Sequence, residues 1–109
     1  MNQILKKQID KTFLQTLQDL KNTREKELFL KDFLNDEEFD RYTKRLAIAY
    51  WLKKGRDKTN IKNNLEVTDK EIDQVEKKLK TAGFKLAIKY LKAEEWANVW
   101  SKKIKKLVR

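Results

Sequence analysis

Apolar side chains recur along the chain every three or four residues, the spacing that is typical of amphipathic α-helices. In the first third of the chain this pattern predicts a helix that ends before Asn22 and a second helix that begins near Thr23. The first carries the apolar positions Leu5, Ile9, Phe13, Leu17 and Leu20, and the second carries Leu30, Phe33 and Leu34. Each of these helices therefore has one face to bury.

A third helix is predicted after Asn35, whose side chain can accept the amide hydrogen of Glu38. The acidic residues at its start are favoured by the helix dipole. Its apolar residues cover two faces, formed by Phe39, Tyr42, Leu46, Ala49 and Tyr50 on one side and by Ile48, Trp51 and Leu52 on the other. A helix with a single narrow polar side is expected at the centre of a fold. We expect it to end at Gly55 in a left-handed conformation.

Two short helices follow, and their apolar spacing predicts a helix-turn-helix motif over about 57–82. Asp57 is a candidate N-cap for the first of them. The sequence from Thr68 to Glu71 is a capping box that begins the second, which we expect to end at Gly83. The apolar residues at the offsets that would lock the two helices together are Ile61, Leu65, Val67, Ile72 and Val75.

The last segment is predicted to form a basic amphipathic helix over about 84–108. Its apolar residues lie on two stripes whose register slips across 92–95, so one bent helix or two helices are expected. The chain has no proline and only two glycines in 109 residues, which leaves strands few places to turn. The predicted fold class is therefore all-α, with six or seven helices in a single domain over 1–109.

Charge and composition narrow the function. The net charge of +10 favours a polyanionic partner, nucleic acid before an anionic membrane surface, although a lysine-rich surface alone would give the same value. The absence of cysteine and histidine removes disulfides, thiolate metal sites and the commonest general base. We therefore predict no enzymatic activity, no cofactor and no metal. Since no apolar run is long enough to span a bilayer, a cytoplasmic protein is expected.

Four pieces of sequence carry a resemblance to a known family: the helix start NDEEF, the helix KRLAIAYWLKKG, the short helix IKNNL and the capped helix after it. Together they span Phe33 to Gly83, and this stretch resembles the core of the Trp repressor superfamily, in particular its small YerC/YecD-type regulators. The resemblance implies an intertwined homodimer that binds a palindromic duplex DNA operator. A 13.2 kDa chain with eight Phe and Trp residues also favours a dimer, because one thin helical layer cannot hide them.

This sequence differs from the family pattern at the positions where the Trp repressor holds its corepressor. There, two arginines hold the bound tryptophan and a glycine leaves room for its indole. The first arginine is Arg45 here, but the second is replaced by Gln74 and the glycine by Val75. Tryptophan is therefore not expected as a corepressor, and we expect Arg45 to pair with an acid or to pack its stem on the core. The usual turn glycine is Glu66, which we expect in a left-handed conformation.

The candidate DNA-binding residues are Lys58, Lys62, Thr68, Lys70, Gln74, Lys77 and Lys78. Gln74 could read adenine, the lysines could hold phosphates, and the helix start at Thr68 offers its amides to a phosphate. Accessory phosphate contacts are predicted for Lys102, Lys103, Lys105 and Lys106. The alternative is that these lysines only form the solvent-exposed face of a dimerisation helix.

The sequence thus predicts a homodimeric, sequence-specific transcriptional regulator, a repressor that does not use tryptophan. Four acids on the second motif helix, Asp69, Glu71, Asp73 and Glu76, would repel phosphates if they face outward. They leave a second interpretation open, a helical protein–protein interaction module that keeps this fold without specific DNA binding.

Overall fold

The computed structural model describes residues 1–93, which form six α-helices and no strand. The helices are α1 (Gln3–Asp19), α2 (Thr23–Phe33), α3 (Asp36–Lys53), α4 (Lys58–Leu65), α5 (Asp69–Lys78) and α6 (Ala82–Ala93). The all-α class is confirmed. The remainder of the predicted basic helix, with Lys102, Lys103, Lys105 and Lys106, lies outside the described residues. No helix within 1–93 is long and apolar enough to cross a membrane.

The first of two compact units, Met1–Asp40, contains α1, α2 and the start of α3. Both of its complete helices begin at an asparagine cap: Asn2 accepts from the amide of Ile4 at 2.7 Å, and Asn22 accepts from the amide of Glu25 at 2.9 Å. None of its forty residues is fully buried. This unit is therefore a pair of helices without an enclosed core of its own.

The start of α3 matches the prediction from the sequence. The Glu38 amide donates to the Asn35 side chain at 2.8 Å, and the Asn35 amide donates to the Glu38 carboxylate at 3.0 Å. Two amides that would lack a partner inside the helix are thereby satisfied.

The second unit begins at Arg41 and holds the core. Five consecutive residues of α3, Ala47 to Trp51, are buried, so this part of the helix is surrounded on all sides, as predicted. The other buried apolar residues are Ile61, Val67, Ile72, Val75, Ile88 and Leu91. Beyond α3, Gly55 has a φ of +83°, which confirms the left-handed helix end.

The end of α5 differs from the prediction. The helix stops at Lys78, and Gly83, expected to end it, is the second residue of α6. The reason lies in Thr81, whose amide and hydroxyl both donate to the Lys78 carbonyl, at 3.0 and 2.6 Å. These bonds satisfy a carbonyl at the helix end, so a left-handed glycine is not needed there.

Candidate nucleic-acid interface

The motif consists of α4, a three-residue turn and α5. Asp57 caps α4 by accepting from the Asn60 amide at 2.8 Å, and Thr68 caps α5 by accepting from the Glu71 amide at 3.1 Å. Between the helices, Glu66 has φ 55° and ψ 50°, the left-handed conformation that was predicted. The turn therefore keeps its geometry without the usual glycine.

The apolar residues predicted to lock the motif are inside the second unit. Ile61 of α4 and Ile72 of α5 have no exposed surface, while Val67 and Val75 are also buried. Leu65 is partly buried and packs against the same cluster. Because these contacts fix one side of α5, the opposite side is left for a partner.

All seven candidate DNA-binding residues of the motif are solvent-exposed. On α5, Lys70, Gln74 and Lys77 follow one another at intervals of four and three residues, so they share a face. We call these three the contact row. Across 1–93, neither Lys70 nor Lys77 forms an ion pair, and the same holds for Lys78. Their ammonium groups are available to an anion.

The two lysines of α4 are held by acids of α5. The Nζ of Lys58 lies 2.9 Å from a carboxylate oxygen of Glu76 and 3.4 Å from one of Asp73. The Nζ of Lys62 lies 3.2 Å from a carboxylate oxygen of Asp69. Asp69, Asp73 and Glu76 also share a face of α5, one residue before the contact row, and we call them the carboxylate row. All five side chains are about half exposed or more.

These ion pairs were missed from the sequence. The spacing contains a signal for them, since Lys58 and Lys62 are four residues apart and the carboxylate row has intervals of four and three. Helix spacing does not reveal which face of α5 lies against α4, however. The pairs depend on how the two helices cross, which is a tertiary property.

The electrostatics follow from the same contacts. A hydrogen bond and the negative charge of Glu76 raise the pKa of Lys58 above its ordinary value of 10.5. Because the pKa of Lys58 is raised, its pair with Glu76 contributes to stability at pH values below 10.5. This contribution is lost as the pH rises through the raised pKa. Lys58 is therefore a charged ammonium at neutral pH, and its pairing is insensitive to pH in that range.

A pocket of about 420 Å³ lies beside the contact row and is lined by Arg45, Gln74, Val75, Lys77, Lys78 and Phe84. Arg45 and Gln74 stand where the resemblance places the two arginines that hold tryptophan in the Trp repressor. Both residues line this pocket. The guanidinium of Arg45 lies 5.0 Å from the ring centre of Tyr42, a cation–π contact. Val75 contributes a buried, branched side chain to the pocket wall.

An all-α chain whose buried side chains lock two short helices, with the outer face of the second helix exposed, has the architecture of a helix-turn-helix DNA-binding regulator. Residues 8–92 match the family model described as Trp repressor protein. Because this match covers most of the chain, the chain belongs to the Trp repressor family. Neither a curated protein nor a solved structure matches it.

Proposed function

We propose that this protein is a transcriptional repressor that binds a specific duplex DNA site as a homodimer and does so without tryptophan. The observation that carries the proposal is the contact row. An amide side chain, Gln74, stands between two lysines that have no ion-pair partner in the described part of the chain. In a family of DNA-binding regulators, this arrangement suits an amide on a base edge and ammonium groups on the phosphates.

Each candidate residue has a proposed role. Gln74 pairs with an adenine through two hydrogen bonds, while Lys70, Lys77 and Lys78 hold backbone phosphates. Lys58 and Lys62, which are exposed on α4, are proposed as further phosphate contacts, and the helix start at Thr68 is proposed to offer its amides to a phosphate. Lys102, Lys103, Lys105 and Lys106 remain proposed as accessory phosphate contacts.

The homodimer is supported by the first unit. Ile9 of α1 and Phe33 of α2 are 49 % and 58 % exposed, and both line an apolar groove of about 660 Å³. The rings of Phe13, Phe29 and Phe33 form a cluster with centroids 5.1 to 6.5 Å apart. A contiguous apolar surface of this kind is typical of an interface, and a two-fold dimer would place two motifs for the two halves of a palindrome.

Independence from tryptophan is supported by two side chains of the 420 Å³ pocket. Gln74 offers no positive charge where the second arginine of the Trp repressor would hold the carboxylate. Val75 places a branched side chain where a glycine would leave room for an indole. We therefore expect that added tryptophan leaves DNA binding unchanged.

The test is selection of bound fragments from random duplex DNA with the full chain, followed by affinity measurements on the selected duplex and on a scrambled duplex of the same composition. A repressor of this kind selects a palindromic sequence and binds it 10³-fold or more tighter than the scrambled duplex, as is typical of specific DNA-binding proteins. If the chain does not bind duplex DNA even at low salt, the proposal is wrong. The protein–protein interaction module, which the carboxylate row favours, would then replace it.

A further inference from the structure

The exposed side of α5 carries two neighbouring rows of opposite character. The contact row offers two ammonium groups and an amide, whereas the carboxylate row offers three acids one residue earlier along the helix. Adjacent residues on a helix point about 100° apart, so both rows border the surface that a DNA groove would meet. Three carboxylates beside a proposed phosphate-binding surface require an explanation.

Fold stability does not supply that explanation. The side chains of Asp69, Asp73 and Glu76 are 70 %, 55 % and 48 % exposed, and exposed ion pairs contribute little to the free energy of unfolding. The two lysines that they hold cannot neutralise all three acids, so the carboxylate row and its partners keep one net negative charge. The motif already has a buried apolar lock between α4 and α5.

Carboxylates beside a phosphate-binding surface would weaken its affinity for DNA. Non-specific binding rests almost entirely on cations that displace counterions from phosphates. Lys58 and Lys62 contribute less to it while they are paired, and the remaining negative charge repels the backbone. At a specific site the same carboxylates can accept hydrogen bonds from base amino groups, such as N4 of cytosine, which offsets this repulsion. On other sequences nothing offsets it.

We propose that Asp69, Asp73 and Glu76 are specificity-determining residues, which weaken binding to DNA at large while favouring sites that present base amino groups to them. The inference rests on the proposed function above. It assigns to the acids of α5 the role of raising the ratio between specific and non-specific affinity, with Lys58 and Lys62 holding them in place.

The test compares Asp73→Asn/Glu76→Gln with the control Glu27→Gln/Asp32→Asn. Both double variants raise the net charge by two and both remove exposed acids, and Glu27 is likewise paired with a lysine, Lys31, at 3.5 Å. Affinities are measured over a series of salt concentrations on the selected and the scrambled duplex. In the Asp73→Asn/Glu76→Gln variant we expect binding to the scrambled duplex to tighten about tenfold. The slope of log affinity against log salt concentration should steepen by about one, because Lys58 is released to a phosphate. The ratio of the affinity for the selected duplex to that for the scrambled duplex should fall about tenfold, while the control variant keeps the ratio of the parent chain.

A second variant separates this role from a structural one. Lys58→Met breaks the same two ion pairs but leaves the carboxylates of Asp73 and Glu76 uncompensated, so binding to the scrambled duplex should weaken. If the pairs served only to hold α4 against α5, both variants would change affinity in the same direction, and the inference would be overturned. It would also be overturned if Asp73→Asn/Glu76→Gln behaved like its control. A parent chain that binds both duplexes equally would instead contradict the proposed function itself.

Discussion

Glu66 holds the turn of the motif in a conformation that costs an ordinary residue about 1 kcal/mol. Its φ of 55° is the one positive value among the non-glycine residues described. We predict that Glu66→Gly raises the free energy of unfolding by about 1 kcal/mol, because glycine adopts this conformation without a steric penalty. Urea denaturation followed by circular dichroism measures the change. Asn64→Gly, inside α4, is the control and should lower the stability by about 0.3 kcal/mol, because glycine is a poorer helix former than asparagine. A loss of stability in Glu66→Gly would show that the turn is not strained.

Gln74 is the residue on which sequence recognition is proposed to depend. A bidentate pair with adenine contributes about 1–3 kcal/mol to discrimination, so Gln74→Ala should bind the selected duplex about ten to a hundred times more weakly. Binding to a scrambled duplex should hardly change. Fluorescence anisotropy titrations at one fixed salt concentration measure both affinities. Gln18→Ala, an exposed position on α1, should change neither. If the affinities for both duplexes fell equally, Gln74 would contact the DNA phosphate backbone instead of a base.

At the scale of the element, the helix starts are encoded locally. The Thr68 hydroxyl accepts the Glu71 amide at 3.1 Å, and removing such a cap costs about 1 kcal/mol. We therefore predict that Thr68→Ala lowers the free energy of unfolding by about 1 kcal/mol and speeds amide exchange in the first turn of α5. Thr68→Ser keeps the hydroxyl and should retain most of the stability. If the serine and alanine variants were equally destabilised, the lost methyl group, not the cap, would be responsible.

The same local encoding explains which elements could be predicted from the sequence. The starts of α3 and α5 and the end of α3 at Gly55 each depend on a few neighbouring residues, and all three were predicted. The end of α5 was not, because two routes to closing a helix were present and Thr81, rather than Gly83, satisfies the Lys78 carbonyl. Both routes are local, and the residue pattern alone does not rank one above the other.

The candidate site shows a sharper limit. The apolar lock of the motif was predicted, because burial follows residue type and helical period. The exposure of Lys70 and Gln74 then follows by exclusion, since the lock fixes the buried face of α5. The pairing of Lys58 with Asp73 and Glu76 could not be derived in this way, because it spans fifteen and eighteen residues of sequence and joins two separate helices.

At the scale of the whole molecule, the two units bury very different amounts of apolar surface. The second contains a cluster of buried residues around Ile48, whereas no residue within 1–40 is fully buried. A helix pair without an enclosed core is marginal in water, so the proposed dimer would provide the missing cover for α1 and α2. Stability and assembly of this chain should then depend on each other.

This dependence gives a prediction for Phe33, which is 58 % exposed and stacks on Phe29 at 5.1 Å between ring centres. Phe33→Asp places a charge on the proposed interface, and burying an unpaired charge there costs several kcal/mol. The parent chain should sediment at twice its mass of 13.2 kDa and melt at temperatures that rise with protein concentration. The variant should sediment at the mass of one chain, with a melting temperature independent of concentration. Gln18→Asp, which changes the charge equally outside the apolar groove, should remain dimeric. If the parent chain is already monomeric, the apolar face of the first unit has another partner, and the two-fold arrangement of recognition helices is lost with it.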